Sequence, residues 1–266
     1  MDLELADKVA VVTGGSRGIG KAIASTLAAE GADCALIARD MGVAGAAAEQ
    51  IAARTGRRAR AYRADTGEDE AVASAFAAIA ADFGRIDILV NCAAQPGGQG
   101  KPPGLAETTD AHFWADMNVK VMGYLRCCRE AAPHMQRQGG GRIVNISGLA
   151  ARQTGNIVGT IRNVGVAALT KTLADELGPH HIAVICVHPG LTRTEKTPDV
   201  VARQAAAACI APEEMEKRIA SRNLIRRMVA AEDIAALVAF LASPKAIAIN
   251  GDCIAAGGGA PGAIYY

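Results

Sequence analysis

The densest run of chemically distinctive residues is Thr13-Gly14-Gly15-Ser16-Arg17-Gly18-Ile19-Gly20. Glycines at such spacing permit a tight turn, close backbone approach to a pyrophosphate and close packing of a helix on a sheet. The free amides that open a following helix would then meet the phosphate charge. Arg17 inside the turn and Arg39 farther on offer two guanidinium groups that can fork onto a phosphate, with Asp40 as a competing carboxylate. A second candidate is Asn145-Ile146-Ser147-Gly148. Its hydroxyl could orient a reacting oxygen or simply cap backbone. The seven cysteines (34, 92, 127, 128, 186, 209, 253) are odd in number and scattered, with no C-x-x-C pair. They read as small hydrophobes of a reduced, cytoplasmic chain. His180-His181 has no acidic or thiol neighbour at ligand spacing, so no metal site is expected.

Such a turn works only between a strand and a helix, and the surrounding pattern supplies both. Residues 8–13 form a compact β run, 19–30 have helical periodicity, and Gly31 supplies a helix stop. The alternation continues with strands at 34–38, 59–64, 86–91, 142–146, 182–187 and 253–256. Helices are expected at 43–55, 68–83, 113–136, 161–177, 212–228 and 231–241. Residues 95–110, rich in Gly and Pro, read as loop, and 191–212 have no clear period. The stretch 191–228 is therefore expected to be a substrate lid, mobile in its first half. The strands are continuous apolar runs, as in strands buried on both faces. Strands alternating with helices imply parallel βαβ units. The expectation is one Rossmann-type α/β domain over 1–266, a doubly wound parallel sheet of about seven strands with helices on both faces.

Taken together, these segments resemble the short-chain dehydrogenase/reductase family along nearly the whole chain. Thr13-Gly14-x-x-x-Gly18-x-Gly20 has that family's glycine spacing. Asp65 and Thr66 follow the third strand, where the family contacts adenine. Asn91-Cys92-Ala93-Ala94 resembles its Asn-Asn-Ala-Gly, with two departures. Asn118 falls at the family's structural and catalytic asparagine. Pro189-Gly190-Leu191-Thr192-Arg193-Thr194 is similar to the Pro-Gly-x-x-x-Thr segment that holds the nicotinamide carboxamide. The resemblance implies cofactor contacts at Gly14, Ser16, Arg17, Gly18, Ile19, Gly20, Arg39, Asp65, Thr66, Asn91, Ala93, Pro189 and Thr194. NAD sites of this kind place an acid about 20 residues past the glycines to grip the ribose 2′-OH. Here Arg39 takes that place beside Arg17, which favours NADP(H) over NAD(H).

The resemblance fails at one point. The family opens the helix after strand five with Tyr and, four residues later, Lys; the phenol is general acid/base and the lysine lowers its pKa and binds the ribose. Aligned through 166–174, those positions are Gly159 and Asn163. The four tyrosines are Tyr62, Tyr124, Tyr265 and Tyr266, so no slip of alignment restores one. Gly148 occupies the family's reactive serine position, leaving Ser147 and Asn118 as the catalytic candidates. Arg152, Arg162, His188 and Tyr265-Tyr266 lent by a neighbouring subunit are further substitutes, each more readily explained as structural. The expected behaviour is ordinary dinucleotide binding with very slow reduction of simple ketones and aldehydes. Two functions stay open: a divergent oxidoreductase acting on a small carbonyl or alcohol, or a dinucleotide-binding sensor or assembly partner with little turnover.

Composition narrows the remaining classes. With 266 residues, 50% hydrophobic and 21% charged, the chain can bury a large core without staples. Its 28 basic and 27 acidic residues leave +1, and aromatics are 3%, which together argue against a nucleic-acid surface. The basic pairs Arg57-Arg58 and Arg226-Arg227 are too short to reverse that. No apolar run reaches membrane-spanning length. The resemblance also implies a homotetramer or homodimer, joined through the helices on either side of strand five and the C-terminal strand; here those are the Ala-rich helices 113–136 and 161–177, followed by the apolar tail 260–266.

Overall fold

The computed structural model describes residues 1–95 and 102–262. The strands are β1 (Val9–Thr13), β2 (Asp33–Ala38), β3 (Ala59–Arg63), β4 (Ile88–Asn91), β5 (Gly141–Ile146), β6 (Ile182–Pro189), β7 (Thr192–Arg193), β8 (Val229–Ala230) and β9 (Cys253–Ala256). Seven of them form one parallel sheet in the order β3-β2-β1-β4-β5-β6-β9, while β7 and β8 pair separately. The expected doubly wound sheet is therefore present.

Continuous apolar strands are explained by two separate cores. Ala10 and Val12 of β1 face one side, where α1 (Gly18–Ala29), α2 (Met41–Thr55) and the later Ala231–Ala242 helix pack through Ile23, Leu27, Ile51, Ile234 and Val238. Val11 faces the other side, against α3 (Asp69–Phe83) and the later helices Gly123–Arg137 and Ile157–Leu177, through Phe76, Ile79, Cys127, Met135 and Leu177. The strand order reverses beside β1, with β2 on one side and β4 on the other. A crevice at the carboxyl ends of those strands is the ligand position in open α/β sheets.

Three expectations are corrected. The helix expected at 113–136 is α4 (Asp110–Met117), a π-helical turn over Asn118–Met122, and α5 (Gly123–Arg137). The helix expected from 161 is α6 (Ile157–Leu177), which starts a turn earlier because the Asn156 side chain accepts the Gly159 N–H at 2.8 Å. The stretch 191–212, expected to lack regular structure, contains α7 (Thr197–Ala207), and α8 (Pro212–Ala220) ends well before 228. Val201 and Ala205, one turn apart, bury against Met215 and Ile219, a small core of its own. The last helix is α9 (Ala231–Ala242). Part of the 95–110 loop and the Tyr265-Tyr266 tail lie outside the described residues.

Candidate functional site

At the carboxyl ends of β1 and β4, the buried Thr13 hydroxyl accepts the backbone N–H groups of Cys92 and Ala93 at 3.0 and 3.1 Å. This clamps the two strand ends around the glycine turn. Gly14 has φ +66, and a Cβ there would lie 3.0 Å from the Ala93 Cα. A Cβ on Gly20 would lie 2.3 Å from the Gly14 carbonyl oxygen, so neither place admits a side chain. Ile19 packs on the core beneath the turn, and Ser16 is half-buried within it.

The turn already holds an anion. The Gly18 N–H, at the start of α1, donates to both carboxylate oxygens of Glu195 at 3.1 Å. Glu195 stands where the positive end of a helix attracts negative charge. Pro189 closes β6, and the segment after it brings Thr194 over the turn, its methyl 3.4 Å from where a Gly18 Cβ would be. A cradle emptied of Cβ atoms, with a carboxylate on its amide, fits the pyrophosphate of a dinucleotide.

Beside the turn, Arg17 pairs with Asp40 at 3.4 Å and Arg39 with Asp65 at 3.6 Å, all four side chains at least partly in water. Asp40 also caps α2 through the Val43 N–H, and Asp65 accepts the Gly67 N–H at 2.9 Å. Other sequence candidates turn their side chains inward. Thr66 donates its hydroxyl to the Val119 carbonyl. Asn91 donates to Asn145 Oδ1 at 2.9 Å, and Asn145 in turn donates to Thr170 Oγ1, a buried polar chain across β4, β5 and α6. Asn118, in the π turn, donates to the Gly67 carbonyl at 3.0 Å.

Ser147, at the end of β5, is buried and donates its hydroxyl to the Asn163 carbonyl at 3.0 Å. Its own carbonyl accepts from Lys120 Nζ at 2.9 Å, and Lys120 also donates to Asn163 Oδ1 at 3.2 Å. Lys120 is 4% exposed. Burial, seconded by the nearby Arg162 charge, pushes its pKa down to about 7, against weaker opposing pulls from Cys92, Cys186 and Asp116. The sequence reading missed this residue, although a signal existed. Tyr124, Cys127, Cys128, Ala131 and Met135 form the buried stripe of α5, and Lys120 lies one helical turn before Tyr124.

The remaining candidates are accounted for by their partners. Gly159 is in the first turn of α6, where a Cβ would lie 2.7 Å from the Asn156 Nδ2. Arg162 makes a buried two-oxygen pair with Asp116 at 2.6 and 2.8 Å, and Arg152 donates to the Cys253 carbonyl at 2.8 Å. Tyr124 is buried with its hydroxyl donated to the Ile146 carbonyl. Of the basic pairs, Arg57 is tied to Asp7 and Asp33, and Arg58 lies over the Phe83 ring. The cysteines are less scattered than their numbers imply, since Cys186 and Cys253 gather with His188. Among the described residues, no helix is long and apolar enough to cross a membrane.

A family model described as enoyl-(acyl carrier protein) reductase matches residues 14–260. The short-chain reductase protein NovJ of Streptomyces niveus is 36% identical over 257 residues, covering 96% of this chain and 94% of its own. The NADPH-dependent reductase BacG of Bacillus subtilis is 30% identical over 262 residues, covering 96% of this chain and 98% of its own. Among solved structures, L-sorbose reductase from Gluconobacter frateurii, complexed with NADPH and L-sorbose, matches with a TM-score of 0.93 at 28% identity. That match covers 99% of this chain and 100% of the other. Likeness that runs from the glycine turn to the last strand, over nearly the whole of each relative, is membership: the chain belongs to the short-chain dehydrogenase/reductase family of oxidoreductases.

Proposed function

We propose that this chain is an NADP(H)-dependent oxidoreductase of a small carbonyl or alcohol compound, and that Lys120 rather than a tyrosine handles the proton. The observation that carries the dinucleotide reading is the Glu195 carboxylate on the Gly18 amide, an anion seated in the phosphate cradle. Arg17 and Arg39 support the 2′-phosphate form, since both guanidinium groups border the cradle and can exchange their exposed carboxylate partners for a phosphate. The NADPH named for BacG and for the sorbose reductase supports the same choice.

When bound, the nicotinamide supplies or takes up the hydride. The chain's own part is orientation and proton transfer. Gly159 and Asn163 stand where the family has its Tyr/Lys pair, so those two positions supply neither a phenol nor an ammonium. Lys120 brings an ammonium to Asn163 from the π turn instead. With a pKa near 7 it can give a proton to a carbonyl oxygen or take one from an alcohol at neutral pH. Ser147 and Asn163 hold it in place. Asn118 fixes the π turn to the loop after β3 through Gly67, and so acts as a positioning residue.

A purified-protein screen of NADPH oxidation with carbonyl compounds, run beside NADPH and NADH titrations, tests the reading. Tighter NADPH binding with turnover that requires Lys120 is the expected result. Tight binding with no turnover on any carbonyl would overturn the reading. We further propose self-association through the exposed apolar residues Trp114, Met122, Ile157, Ile161 and Val164, which lie on α4, the π turn and α6.

A further inference from the structure

A second cluster of reactive side chains lies three strands from β1, where the sheet ends. Cys186 and His188 are two residues apart on β6, so their side chains leave the same face of the strand. β9 runs parallel to β6 with Cys253 opposite Cys186. This register brings Cys186 Sγ, one ring nitrogen of His188 and Cys253 Sγ within 4.8 Å of one another. Cys186 Sγ and His188 Nδ1 are 3.8 Å apart. Cys186 and His188 are 0% and 1% exposed, whereas Cys253 is half-buried and leaves the cluster approachable from one side.

We propose that Cys186, His188 and Cys253 bind one thiophilic cation of the Zn2+ class. Zinc–sulfur bonds of about 2.3 Å and zinc–nitrogen bonds of about 2.0 Å in a tetrahedron put ligand atoms roughly 3.5–3.8 Å apart. The cluster therefore needs only a small contraction around the ion. Two sulfurs and an imidazole select zinc over the hard, oxygen-seeking cations. Binding displaces the thiol protons to solvent and leaves the oxidation state of every atom unchanged. The fourth position is open to water on the Cys253 side. An ion there would tie the edge strand β9 to β6, just below the turn that carries Thr194 to the glycine cradle. Its role is structural, and through Cys186 it adjoins the site of Lys120 and Ser147.

The probe is Co2+, followed by Zn2+, added to reduced, chelator-treated full-length protein. The expected result is one cobalt per chain with thiolate-to-cobalt absorption, displaced by equimolar zinc, and a zinc-dependent rise in Tm. Cys253→Ser, at a half-exposed edge position, should weaken binding roughly tenfold or more and remove the Tm response. Cys209→Ser, at an exposed thiol outside the cluster, should change neither. Absence of stoichiometric thiolate absorption, or its survival in Cys253→Ser, would overturn the proposal. So would a Cys186–Cys253 disulfide in the protein as isolated, which would assign the pair to redox chemistry.

Discussion

At the scale of single residues, the Lys120 ammonium is brought close to giving up its proton by burial and by the neighbouring Arg162 charge, although its hydrogen bonds to a carbonyl and an amide oxygen favour the charged form. Carbonyl reduction needs the charged form, so kcat should fall as pH rises through about 7, and alcohol oxidation should rise through the same value. Lys120→Met should cost roughly 10²–10⁴ in kcat and flatten that limb, with the NADPH dissociation constant unchanged. The same group affects stability. Its folded pKa lies below the 10.5 of a free lysine, so the unfolded chain binds the proton more readily between about 7 and 10.5, and the fold gains stability with pH across that window. Asn163→Lys would place a second ammonium beside the first. An uncompensated buried charge costs roughly 3–5 kcal/mol, on the order of 10 °C in Tm, and Lys120→Met in the same chain should recover most of it. On cofactor choice, Arg39→Asp should erase the NADPH preference, a loss of roughly tenfold or more, and equal affinities of the unaltered protein for NADPH and NADH would sink the argument. Arg17, Arg39 and the glycines were readable from sequence because their chemistry is local. Lys120 was readable only through its place on the buried stripe, and its partners, Ser147 and Asn163, meet it through tertiary packing alone.

At the scale of elements, most strands of the large sheet were legible because each is a continuous apolar run with a turn signal at its end, whereas β3 carries Arg60 and Arg63 among its residues and β7 and β8, of two residues each, were too short to read. Two further kinds of element were not legible. The π turn over Asn118–Met122 hides inside an unbroken helical pattern, since one extra residue per turn leaves no mark in composition. α7 hides because its buried side is only Thr197, Val201 and Ala205, too small a stripe to read against its polar neighbours. The contact between Glu195 and the glycine turn belongs to the same scale. Glu195 and a pyrophosphate compete for one amide, so Glu195→Gln should tighten dinucleotide binding a few-fold, the size of effect a charge has at a helix N-terminus. Isothermal titration of both proteins at low salt checks it, and weaker binding by the variant would refute the competition.

At the scale of the whole molecule, alternating elements foretold the sheet and its two helical layers, while contacts set by strand order stayed invisible. Cys186 and Cys253 looked unrelated because only the pairing of β6 with β9 makes them neighbours. Assembly is checked at this scale too: Ile161→Asp, on the exposed face of α6, should shift a tetramer or dimer toward smaller species in light scattering, with the fold unchanged. The strand order has a further consequence, for the chain as it is made. β6 is eight residues long and buried along its whole length, and the strand that covers its outer side is the last among the described residues. Until residue 256 emerges from the ribosome, β6 is an open, apolar edge able to accept a strand from any neighbouring chain. Chains ending near residue 250 should accordingly collect in inclusion bodies even though every described helix is present, and separating nascent chains with a chaperone during synthesis should matter more for this protein than rapid refolding of the finished one.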